Sequence, residues 1–200
     1  MLLPQLEESV RLCRKCPELA GKHVPLFGEG STEPGGIVII GDAPNEDEVK
    51  EGRPAVGRCG KLLRNAIRDA GFSDLPYYIT NILKCRPPDN RDPSPQEMGH
   101  CWQHLEQQLL LLNPKLIITL GSVSTGMLQE KPTASVPIMR IAGQTYQARG
   151  FSCIPLVHPE HILRRRRDRD LGLSFIGHLR IALGHYERIC HARQRVQEGS

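Results

Sequence analysis

The chain of 200 residues carries 26 basic and 22 acidic side chains, a net charge of +4, with 39% hydrophobic and only 4% aromatic residues. That length is most simply one domain over residues 1–200, with a core built from Leu, Ile, Val and Ala rather than from rings. No run of 18 apolar residues is present, which excludes a membrane-spanning helix, and the opening M-L-L-P-Q-L-E-E-S-V is too acidic for a secretory signal, so a cytosolic location is expected.

Pro4 to Leu12 reads as a short helix with Leu6 and Val10 on one face, delivering Cys13 and Cys16 at its end. Gly21 to Gly36 is glycine-rich and reads as a long surface loop. Gly36 to Ile40 is an apolar run broken at Gly41, the pattern of a buried parallel strand. Gly60 to Ala70 is helical, with Leu62, Leu63, Ala66 and Ile67 as its buried stripe and Gly71 as its stop. Tyr77 to Leu83 is a second strand, leading into the turn-rich K-C-R-P-P-D-N-R-D-P-S-P-Q-E. Pro95 to Leu112 is the clearest helix: Ser94 can cap it, Pro95 suits its first turn, and Glu97 completes the cap. Leu116 to Leu120 is a third strand, followed by a helix near Ser124 to Gln129. Phe151 to Val157 is the fourth strand and Leu173 to Arg193 the last helix. Alternating strands and helices imply an α/β fold of three layers, a parallel sheet covered on both faces. Ligands of such sheets bind at the carboxyl ends of the strands, here the loops Gly41–Asn45, Asn81–Arg86, Gly121–Ser124 and His158–Arg164.

Seven cysteines in a reducing compartment rarely mean disulfides. Cys153 and Cys190 lie on apolar elements and read as small buried hydrophobes. Cys13 and Cys16, as C-R-K-C, with Cys85 and Cys101 further on, have the spacing of a four-thiolate metal centre. Fifteen residues, with prolines and a helix start among them, separate the last two. This wide gap favours a [4Fe–4S] cluster over zinc, with the loops around it forming a lobe; zinc stays the alternative. Charge is uneven: Arg164 to Arg195 holds nine arginines against three acidic residues, which suits a side facing a polyanion.

The segments G-D-A-P-N-E-D-E-x-x-E-G-R-P-A-V-G-R-C-G-K-L-L, T-N-I-L-K-C-R-P-P-D-N-R-D-P-S-P-Q-E and H-P-E-H-I-L-R together resemble the family 4 uracil-DNA glycosylases, from Cys13 to about Arg164. The resemblance implies a four-stranded parallel sheet between helical layers, a [4Fe–4S] cluster, and hydrolysis of the N-glycosidic bond of a base flipped out of DNA. By the same resemblance His158 faces the base oxygen where negative charge develops, Asn81 reads the base edge, and Asp42 stands for the family's usual Glu in the water-holding loop Gly41–Asn45, of which Ala43 and Asn45 face the base. Ile162 and Leu163 fall at the apolar wedge that fills the vacated stack. Glu160, His161 and Arg164, Arg165, Arg166 and Arg167 complete the expected DNA-binding segment. DNA is thus the expected partner, and a monomer the expected state.

The sequence departs from the family pattern inside the pocket. Asn45 replaces a usual Gly, Ala55 replaces the Phe that stacks on uracil, and Cys59 replaces an Ala. Base–aromatic stacking is worth about 1–3 kcal/mol, so the main expectation is an enlarged pocket for a bulky modified pyrimidine, such as the hydroxymethylated or glucosylated cytosine of phage DNA, in antiviral defence. The alternatives are ordinary uracil excision in base-excision repair, a non-catalytic DNA-binding iron–sulfur protein, and a redox-sensing one.

Overall fold

The computed structural model describes residues 2–130, 136–165 and 168–198. Its strands are β1 (Glu29–Gly30), β2 (Ile37–Gly41), β3 (Tyr77–Asn81), β4 (Leu116–Leu120), β5 (Tyr146–Ala148) and β6 (Phe151–Leu156). Its helices are α1 (Leu3–Arg11), α2 (Glu46–Glu51), α3 (Gly57–Ala70), α4 (Pro95–Leu112), α5 (Ser122–Leu128), α6 (Ile138–Ile141), α7 (Pro159–Arg164) and α8 (Arg169–Glu198). All described strands join one sheet in the order β1-β3-β2-β4-β6-β5. The four expected strands are its parallel centre. The expected four-stranded sheet is nonetheless too small: β1 and β5 add antiparallel edges. Strands of two and three residues are too short to carry an alternation, so periodicity does not mark them.

Every residue of β2 and β4 is buried, as an apolar run in a doubly covered sheet requires. Successive side chains serve opposite layers. Ile37, Ile39, Ile118 and Ile154 pack with Leu63 and Ile67 of α3 and Phe175 and Leu179 of α8. Val38, Ile40, Ile117 and Cys153 pack with Leu105 and Leu109 of α4 and Val123 of α5. Burying each such aliphatic chain contributes roughly 1.5–3 kcal/mol, and this alternation fixes which end of the sheet the loops crown. Cys16, Cys85 and Cys101 pack against the second of these cores. The cysteine segments are thus part of the body, and the described residues show no separate cluster lobe.

Helix α4 begins as its sequence dictates. Ser94 Oγ accepts from the Glu97 N–H at 3.2 Å, and Glu97 Oε2 accepts from the Ser94 N–H at 2.8 Å. Arg91 donates to both Glu97 oxygens at 2.7 and 2.8 Å, and this hydrogen-bonded ion pair holds the Glu97 carboxyl down at about 2. Its stabilisation is therefore complete above the ordinary carboxylate range and fades as pH falls toward 2. Glu97→Gln should cost about 1–2 kcal/mol at pH 7, a range that allows for solvent around Arg91. Urea unfolding of the two proteins should converge as pH is lowered from 4.5 toward 2; a constant gap would show that charge is not what Glu97 contributes.

Candidate active site

The chain continues from β2 to β3 on one side and enters β4 on the other, so the carboxyl ends of β2 and β4 form the sheet's switch point. A cleft of about 490 Å3 opens there, a volume suited to a small ligand. Three strand ends deliver polar side chains to it: Asp42 after β2, Asn81 closing β3, and His158 after β6.

Asp42 Oδ1 accepts from the Ser124 N–H at 2.9 Å, in the first turn of α5. Removal from water pushes its carboxyl pKa up, and nearby His158 and the Ser124 bond oppose that rise. A carboxylate with a raised pKa is a stronger proton acceptor than an exposed one. His158 caps α7, its Nδ1 accepting from the Glu160 N–H at 3.2 Å. In the neutral ring the proton then sits on Nε2, so the cap decides which nitrogen donates.

Asn81 is buried, and its backbone carbonyl accepts from Lys84 Nζ at 2.9 Å. The same ammonium donates to Thr80 Oγ1 at 2.6 Å. Lys84 is itself fully buried, and desolvation pushes it down to about 7. The lysine thus braces the end of β3 from behind. Nothing in the spacing of apolar residues marks it, because a lysine in T-N-I-L-K-C reads as solvent-facing.

Ala43, Asn45 and Ala55 line the cleft. Asn45 does so as a helix cap: its Oδ1 accepts from the Glu48 N–H at 3.0 Å and its own N–H donates to Glu48 Oε2 at 2.8 Å. Glu48 also accepts from the Ala55 N–H at 2.6 Å, so one buried carboxylate ties both turns that border the cleft. Burial raises its pKa against the pull of those two N–H groups. Sequence reading passed over Glu48, although N-x-x-E is the signature of a capping box. Arg58, Cys59 and Arg91 also border the cleft; desolvation raises the Cys59 thiol pKa, which disfavours a nucleophilic role.

The segment expected to meet DNA is a helix, α7, rather than a loop. Ile162 is buried in the core with Phe175, so it is not free to act as the expected wedge, and Leu163 is half-buried. Glu160 pairs with Arg164 at 2.7 Å. His161 is half-buried, its Nε2 enclosed without a protein partner. Arg164 and Arg165 are exposed. Arg166 and Arg167 lie outside the described residues.

Cys13, Cys16, Cys85 and Cys101 line one small cavity with Leu19, Leu83 and His104. His104 lends it a buried Nε2 with no protein partner. Burial pushes Cys85 up to about 12 and raises Cys16 and Cys101, a penalty on their thiolates that a bound cation would offset. Among the described residues no three His, Cys, Asp or Glu side chains converge closely enough to hold a single ion. Four sulfurs around an apolar cavity, with an unpaired imidazole nitrogen beside them, fit a sulfur-ligated cluster in donor chemistry.

Comparison with known proteins places this geometry. Residues 27–176 match the Uracil DNA glycosylase superfamily. The chain is 36% identical over 166 residues to the type-4 uracil-DNA glycosylase of Thermotoga maritima, covering 82% of this chain and 85% of that protein. It is 36% identical over 190 residues to the type-4 enzyme of Pyrobaculum aerophilum, covering 90% and 96%. Against the type-5 enzyme of the same organism, identity is 26% over 145 residues, covering 56% and 62%. With the three strand-end side chains in one cleft and four cysteines in another, the chain belongs to the uracil-DNA glycosylase superfamily, within it to the type-4 enzymes, and is a DNA glycosylase.

Proposed function

We propose that the chain excises uracil from DNA in base-excision repair. The observation that carries this reading is the convergence of Asp42, Asn81 and His158 on one cleft in a chain of the type-4 family. The target nucleotide leaves the stack and enters the cleft. The Asn81 side-chain amide, donor and acceptor together, pairs with the uracil edge. As the C1′–N1 bond breaks, negative charge builds on the base and positive charge on the sugar. His158 Nε2–H donates to the developing base anion. The Asp42 carboxylate orients water and takes its proton as the water oxygen bonds C1′. Arg164 and Arg165 are exposed and suited to phosphates.

The bulky-base expectation rests on Ala55 and Asn45, and Asn45 serves as the cap of α2, with its Oδ1 engaged by the Glu48 N–H. The type-4 relatives are named for uracil, and uracil is the substrate favoured here over modified cytosine; the antiviral role has no further support. Membership of a glycosylase family sets aside the non-catalytic reading. No described helix is long and apolar enough to cross a membrane.

For the cofactor, the reading is a [4Fe–4S] cluster held by Cys13, Cys16, Cys85 and Cys101. When bound it supplies a crosslink between the end of α1, the loop after β3 and α4, and no step of the hydrolysis runs through it.

Three outcomes are expected. Mass spectrometry of bases released from uracil-containing and glucosylated-cytosine DNA should detect uracil alone; release of the modified base would overturn the substrate assignment. His158→Ala should slow single-turnover release by about 10²–10³-fold, the usual cost of a lost anion-stabilising donor, and an unchanged rate would remove it from the reaction. Anaerobically purified protein should absorb near 400 nm and lose that band in Cys85→Ala, whereas stoichiometric zinc without the band would replace the cluster.

A further inference from the structure

The glycine-rich stretch before β2 contains edge strand β1, and β1 sets Glu29 beside the turn bordering the cleft. That turn, residues 53–56, holds Ala55 at φ 54°, a left-handed conformation that disfavours any residue with a Cβ. Hydrogen bonds hold it there. Arg64 of α3 donates from Nε to the Ala55 carbonyl at 3.0 Å and from Nη2 to the Pro54 carbonyl at 3.1 Å. The same Nη2 lies 3.3 Å from Glu29 Oε1. Glu29 also receives Arg53, at the start of the turn, through two bonds of 2.7 Å. These bonds, with Arg53's the largest influence, keep the Glu29 carboxyl below its ordinary range. The turn is thus gripped from β1 and α3 on its outer side, and by Glu48 at the Ala55 N–H on its inner side. No described Phe, Tyr or Trp side chain lines the cleft, so no such ring sets the position of this wall.

We propose that Arg64, anchored by Glu29, is a positioning residue that holds the Ala55 turn where a flipped uracil meets it. The proposal rests on the uracil reading above. Arg64 touches two backbone carbonyls and does not face the reacting atoms. A planar fork reaches both carbonyls and the carboxylate together, which an ammonium cannot do. Losing it frees the wall of the base pocket without disturbing the strand ends where Asp42, Asn81 and His158 sit.

The test compares the full chain with Arg64→Met, Arg64→Lys and Glu29→Gln. Inhibition by free uracil and KM for uracil-containing DNA should both weaken by about tenfold in Arg64→Met, less in the other two, with kcat within about twofold of the parent. Hydrogen exchange of the Ala55 amide should accelerate by about tenfold or more while the Ile39 and Ile118 amides keep their protection. Adding Glu29→Gln to Arg64→Met should loosen the turn further, because Arg53 then loses its two bonds to Glu29 as well. Unchanged uracil inhibition and Ala55 exchange in Arg64→Met would overturn the proposal, as would faster exchange at Ile39 and Ile118 to the same degree. Should Arg64→Met fail to fold, Arg64→Lys and Glu29→Gln are judged by the same criteria. A parent chain that releases no uracil would overturn the uracil reading, and the Ala55 exchange comparison would still decide whether the clamp exists.

Discussion

The cleft depends on how closely the ends of β2, β3 and β4 approach one another. The β2–β3 pairing continues past the strands, with the Ile82 N–H on the Gly41 carbonyl at 2.9 Å and the Leu83 N–H on the Asp42 carbonyl at 3.0 Å. A Cβ at Gly41 would collide with Asn81 Oδ1. At Gly121, where φ is +97°, it would lie 3.2 Å from His158 Cβ and 3.4 Å from Asp42 Oδ2. Two glycines therefore let three polar side chains from three strands share one space, and a methyl group at either site would push them apart.

This closeness requires ionisable groups to be buried, and three of them at the strand ends are answered by specific donors or acceptors. Asp42 has the Ser124 N–H, Glu48 has the Asn45 and Ala55 N–H groups, and Lys84 has Thr80 Oγ1 and the Asn81 carbonyl. A buried charge left unpaired is expensive, and partly satisfied networks are worse than apolar cores. The two sheet faces of Ile, Leu and Val offset that cost. The aliphatic layers supply stability, and the polar strand ends use it to hold chemistry in place.

What the sequence makes legible follows from length and period. The four central strands and α4 are read to within two residues because their patterns run for five residues or more and carry caps such as Ser94 and Glu97. The edge strands and α7 are too short to run through their period twice, so no repeat marks them. Asp42, Asn81 and His158 are legible as members of long motifs, and the fold brings them together at the switch point. Glu29 and Arg64 are not, because their partnership spans 35 residues and targets backbone carbonyls, which leave no trace in side-chain spacing. Ile162 reads as an exposed wedge in H-P-E-H-I-L, and only the packing of α7 on the core with Phe175 turns it inward.

The pocket's departures from the family pattern share a physical logic. Asp42 is one methylene shorter than Glu, and the Ser124 N–H meets its carboxylate close to the strand. Asn45 exchanges the freedom of glycine for a cap that joins it to Glu48. Ala55 gives up a ring, and its turn is held by Glu48, Arg64 and, through Arg53, Glu29. A ring fixes a pocket wall through dispersion over a broad area, whereas this wall is fixed through directional bonds to its backbone. Directional bonds tolerate less displacement than a broad apolar contact. A smaller side chain here therefore does not by itself imply a looser pocket, because the turn that carries it is hydrogen-bonded on both sides.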